Sequence, residues 1–164
     1  MSSLALCEEL ARQLMRRGWM LRTAESCTGG LIAATCTELS GSSRWFDRGY
    51  VSYANEAKTE LLGVHPELIR QHGAVSEPVA RAMAEGAVRR PGHAQAVPGC
   101  VSVAVTGVAG PSGGTPDKPV GLVWFAWCVN GQTSTEVRIF PGYRATIRQQ
   151  TVHHALAQLI ELLR

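Results

Sequence analysis

The dipeptide Asn130-Gly131 joins two runs rich in β-branched and aromatic residues, 120–129 and 133–140. Asn-Gly supplies the positive-φ positions of a tight turn, so these runs are expected to pair as an antiparallel hairpin. The first half of the chain is organised differently. Strand-like segments at 19–24 and 45–53 lead into helical patterns at 31–39 and 54–62. A further helix is expected after Ser76 as N-cap, with Pro78 in its first turn and Val79, Met83 and Ala87 on one side. It precedes an alternating strand at 101–105. Strands separated by helices connect in parallel, whereas a hairpin cannot. The chain is therefore expected to build a mixed sheet. Amphipathic helices at both ends, over 4–17 and from Ile147 to Leu163, supply covering layers. The expectation is one α/β domain over 1–164, a three-layer α/β/α arrangement.

Composition narrows the class further. With 164 residues and 45% hydrophobic content, the chain can bury a core without disulfides or metals, and it is too apolar for disorder. No run approaches the roughly 18–20 apolar residues of a membrane span. Glu8, Glu9, Arg12, Arg16 and Arg17 make the start unlike a secretory signal, so a cytoplasmic protein is expected. Five cysteines without CxxC spacing fit buried free thiols in a reducing compartment. The net charge is only +3 and the basic residues are dispersed, which argues against nucleic acid and for a small anionic ligand.

Two glycine-rich turns follow strands. Residues 24–30, Ala-Glu-Ser-Cys-Thr-Gly-Gly, join a strand to a helix, and free N–H groups there suit a phosphate or carboxylate. Residues 106–115 carry Gly107, Gly110, Gly113 and Gly114. Neither turn is a Walker A loop or a dinucleotide fingerprint. Gly41 is placed to cap the helix over 31–39, and 90–99 reads as a surface loop. Metal chemistry has no ligand pattern to rest on: HExxH is absent, and the adjacent His153 and His154 diverge on a helix.

Ser26 and Cys27 lie at the helix start, where a developing negative charge is stabilised. A serine needs a base, and a lysine can serve. The chain has two lysines, Lys58 and Lys118. Lys58 is the better candidate, three residues after Asn55 and five after Tyr53; Lys118 lies in a loop between Asp117 and Pro119. On spacing alone, a solvated helix position for Lys58 stays open.

Taken in order, residues 24–30, Gly41-Ser42-Ser43 with Trp45-Phe46, residues 49–58, Leu62-Gly63-Val64, residues 72–76, residues 106–111 with Gly113-Gly114-Thr115, and residues 118–121 resemble the CinA C-terminal domain family. These blocks cover about residues 20–125. The resemblance implies a nicotinamide mononucleotide deamidase of pyridine nucleotide salvage, yielding nicotinate mononucleotide and ammonia without metal or cofactor. It implies Ser26 as nucleophile, Lys58 as general base and Tyr53 as an assisting hydroxyl. Thr28, Gly29, Gly30, Ser42, Asn55, Thr106, Gly107, Gly110 and Arg144 are the implied substrate-binding residues. A stand-alone, homodimeric form is expected, acting on a small mononucleotide and on neither nucleic acid nor membrane. Gly142-Tyr143-Arg144 stands where the family often has Gly-Asp-Arg, and the 90–99 loop looks longer than usual. Two other readings remain at this level: a non-catalytic nucleotide-binding or regulatory module, and a hydrolase using Cys27.

Overall fold

In the computed structural model, which describes residues 1–164, five strands form one sheet between two helical layers. In chain order the elements are α1 (Ser3–Arg17), β1 (Met20–Glu25), α2 (Leu31–Thr37), β2 (Phe46–Val51), α3 (Asn55–Leu62), α4 (Pro66–His72), α5 (Glu77–Ala87), β3 (Cys100–Gly107), β4 (Leu122–Val129), β5 (Gln132–Ile139) and α6 (Arg144–Leu162). The strand order is β2-β1-β3-β4-β5, with β2, β1 and β3 parallel and the β3-β4-β5 pairs antiparallel. The expected mixed sheet is present, and Asn130 (φ 51) and Gly131 (φ 77) turn the β4-β5 hairpin.

The two faces of the sheet differ in side-chain size. One buries Leu21, Val103, Phe125 and Trp127 under α1, α2 and α6, with Trp127 Nε1 donating to the Ala155 carbonyl at 3.0 Å. The other carries a row of alanines in register, Ala24, Ala104 and Ala126, on three adjacent strands. Small side chains let α5 approach closely, and Ser102 donates to the Ala84 carbonyl at 2.6 Å. Gly86 of α5 meets α3 so tightly that a Cβ there would lie 2.0 Å from the Leu62 carbonyl oxygen. That contact fixes where α3, and with it Lys58, sits relative to the sheet.

Several local expectations are revised. Helix α2 ends at Thr37, and Gly41 (φ 82) instead starts a 3-10 turn over Ser42–Arg44. Ser76 is the N-cap of α5, but its hydroxyl donates back to the Gly73 carbonyl at 2.8 Å rather than capping the helix. Helix α4 has no counterpart in the sequence reading. Its two turns are too short for a periodic signal, yet Pro66 at the first position and the His65 ring, which accepts from Glu67 N–H at 3.1 Å, define its start. No helix is long and apolar enough to cross a membrane.

Candidate active site

The ends of the three parallel strands converge on one crevice, the place where α/β sheets present ligand sites. Ser26 follows β1, Ser52 and Tyr53 follow β2, and the glycine loop follows β3. The cavity is about 350 Å³ and is lined by Ser26, Cys27, Tyr53, Lys58, Thr106 and Arg144, among others, with residues 107–110, Ser112 and Gly113 of the glycine loop. Clefts of about 410 and 470 Å³ lie elsewhere, but neither is lined by both a serine and a lysine.

Lys58 is the decisive side chain. It is 1% exposed, so the solvated-helix reading is excluded. Its Nζ donates to the carbonyls of Ser52 (2.8 Å) and Tyr53 (3.0 Å) and lies 3.1 Å from Ser26 Oγ. Carbonyls can only accept, so they take two N–H bonds and leave the third position of the nitrogen facing the serine. No carboxylate is among these partners. Burial lowers the Lys58 pKa from its ordinary value, and the neighbouring Cys27 opposes this only in part. In the neutral amine, the third position is a lone pair directed at the Ser26 hydroxyl.

Cys27 is in a different state. Burial pushes its thiol up to about 12, so the nucleophilic thiolate is suppressed. The Cys27 hydrolase reading therefore lacks its reactive species. No group of three or more His, Cys, Asp or Glu side chains converges anywhere to hold a metal.

The turn over 24–30 departs from the sequence reading in one respect. The Glu25 carboxylate, 1% exposed, folds back over the start of α2. It accepts from Ile32 N–H (2.8 Å), Ala33 N–H (2.9 Å) and the Thr28 hydroxyl (2.6 Å). The chain's own anion thus fills the helix start expected for a phosphate. Thr28, Gly29 and Gly30 shape this turn and do not line the cavity. Ser42 lies before β2, at the opposite end of the sheet, and Asn55 opens into the separate cleft between α3 and α4. Thr106, Gly107, Gly110 and Arg144 do line the cavity.

Beyond β3, the N–H groups of Ala109, Gly110, Ser112, Gly113 and Gly114 have no acceptor within the protein. Arg144 borders this loop, donating to the Gly110 carbonyl (2.8 Å) and the Tyr53 hydroxyl (3.3 Å). The Tyr53 hydroxyl therefore sits on Arg144 and bonds to neither Ser26 nor Lys58; its backbone carbonyl is what touches the lysine. Sequence reasoning assigned no role to Glu25 and Ser52, although both lie inside the blocks of the family resemblance, and none to Arg148; each pairs with or through backbone groups, which leaves no spacing signal.

The model of the CinA C-terminal domain matches residues 3–163. The chain belongs to this family. It is 45% identical to the nicotinamide-nucleotide amidohydrolase PncC of Escherichia coli K12, covering 94% of this chain and 90% of that protein. The PncC of Pseudomonas putida is 48% identical, covering 96% and 94%. A CinA-like protein of Akkermansia muciniphila is 51% identical over 87% of this chain, which spans only 33% of that longer relative. Among solved structures, the competence/damage inducible protein CihA of Agrobacterium tumefaciens has a TM-score of 0.91 and 43% identity over the full length of both chains. The CinA family fold and the three-layer α/β architecture are thus one and the same here.

Proposed function

We propose that the chain is an amidohydrolase that converts nicotinamide mononucleotide to nicotinate mononucleotide and ammonia, with Ser26 as nucleophile and Lys58 as general base. The observation that carries this reading is the buried Lys58 Nζ, 3.1 Å from Ser26 Oγ and held by two carbonyls. A binding module has no use for a lysine stripped of water against a serine. The names of the relatives similar over most of their length support the substrate.

In this reading Ser26 Oγ attacks the carboxamide carbon while its proton passes to the Lys58 lone pair. Lys58 then returns that proton to the amide nitrogen as the C–N bond breaks and ammonia leaves. A water molecule attacks the resulting ester, giving a proton to Lys58; the C–Oγ bond then breaks, Lys58 returns that proton to Ser26 Oγ, and the carboxylate is released. The substrate's pyridinium charge near Lys58 disfavours the ammonium and keeps the base neutral. With the α2 start occupied by Glu25, the phosphate falls to the unpaired N–H groups of residues 109–114 and to Arg144.

The test is ammonia release by the purified chain from nicotinamide mononucleotide, with nicotinamide and nicotinamide riboside as controls. Release from the mononucleotide alone is expected. Absence of release from it, or equal turnover of free nicotinamide, overturns the assignment.

A further inference from the structure

The nucleophile's turn is held from outside by a residue with no place in the chemistry. Arg148 lies on α6, one helical turn beyond Arg144. Its Nε donates to the Cys27 carbonyl (3.1 Å) and its Nη2 to the Thr28 carbonyl (2.9 Å). Peptide groups are planar, so fixing a carbonyl also fixes the N–H on the other side of the same bond. The Thr28 carbonyl shares its peptide with Gly29 N–H, which donates to the Ser26 carbonyl at 3.0 Å. The Ser26 carbonyl in turn shares its peptide with Cys27 N–H. That last N–H donates to no backbone carbonyl, and Cys27 lines the cavity beside Ser26.

We infer that Arg148 is a positioning residue: through two linked peptide planes it aims Cys27 N–H at the oxygen that becomes negative when Ser26 attacks. The N–H of the residue after a nucleophile is well placed for this, since it moves with the nucleophile itself. The guanidinium suits the task because its fork meets two successive carbonyls at once, which a lysine cannot do. This inference rests on the Ser26 amidohydrolase reading.

The experiment compares Arg148→Gln and Arg148→Lys with the wild-type chain in two assays, each variant's folding being checked by its thermal midpoint. The first assay is ammonia release from nicotinamide mononucleotide. The second is labelling of Ser26 by a fluorophosphonate: Oγ bonds to phosphorus, fluoride leaves, the hydroxyl proton goes to Lys58, and the phosphoryl oxygen takes the oxyanion's position. Arg148→Gln is expected to lower kcat about 10²-fold with KM changed less than about threefold, and to slow labelling by a similar factor. Arg148→Lys, able to hold one carbonyl, should fall between the two. A lower thermal midpoint with kcat and labelling intact overturns the inference, as does a raised KM with unchanged kcat. If the wild type releases no ammonia but its labelling at Ser26 still depends on Arg148, the substrate assignment fails and the positioning role stands. If Ser26 is not labelled in the wild type, the positioning role falls.

Discussion

At the residue scale, the site depends on one amine being short of solvent. Ser26→Ala should reduce turnover by several orders of magnitude while nicotinate mononucleotide still binds, because the proposed phosphate contacts lie on another loop. Isothermal titration beside the ammonia assay checks both halves. Lys58→Arg should be as inactive as Lys58→Met, since a guanidinium keeps its proton at working pH; recovery with Arg would make the role purely electrostatic. The pH dependence follows from the same burial. Only the neutral amine can accept the serine proton, so kcat/KM should rise with pH and level off through an inflection below the ordinary lysine value of 10.5. The linkage to stability has the same sign. The unfolded chain holds the lysine proton to higher pH than the folded one, so folding is weakened as pH falls through the depressed pKa and regains strength above it.

At the element scale, the Ala24-Ala104-Ala126 row decides how near α5 lies to the sheet, and α5 in turn seats α3. Ala104→Leu adds three carbons where no space exists. Overpacking of this kind costs about 1–3 kcal/mol, and a chain of this size loses about 2–4 °C in thermal midpoint per kcal/mol. A fall of several degrees, with reduced kcat as Lys58 shifts from Ser26, is expected by calorimetry and assay; an unchanged midpoint would show that α5 has slack. The elements themselves were largely legible. The hairpin was marked by Asn130-Gly131, and the terminal helices by their apolar stripes. Helix α4 was not, because two turns carry too few positions for a period. The capping role assigned to Gly41 failed because a positive φ suits any left-handed turn, and here the chain used it to begin one rather than to end α2.

At the scale of the whole molecule, the cavity is assembled from distant segments: Ser26 and Cys27, Tyr53 and Lys58, Ala74 and Val75, residues 106–110 with Ser112 and Gly113, and Arg144. These segments are far apart in the chain, so the loop proposed to hold the phosphate and the Ser26–Lys58 pair can be probed apart. Nicotinamide riboside lacks the phosphate that the 109–114 loop and Arg144 would engage. Charge-assisted hydrogen bonds contribute about 1.5–3 kcal/mol each, so losing two should lower kcat/KM on the order of 10²-fold or more. Arg144→Ala should shrink the preference for the mononucleotide over the riboside. Parallel kinetics on both substrates check this, and equal kcat/KM values would remove the loop from the phosphate.

The sequence alone determined the α/β class, the mixed sheet and the candidacy of Ser26 and Lys58, because these rest on local patterns: periodicity, turn residues and the scarcity of lysine. It could not determine which anion fills the start of α2. Glu25 is adjacent to Ser26 in the chain, and only the backbone path of β1 into α2 brings its carboxylate back onto Ile32 and Ala33. Nor could spacing decide whether Lys58 is solvated or buried. That depended on α3 being drawn down by α5 until the lysine reached two carbonyls and a serine 32 residues away. Hydrogen bonds between segments far apart in sequence leave no periodic trace, and their geometry is a product of packing.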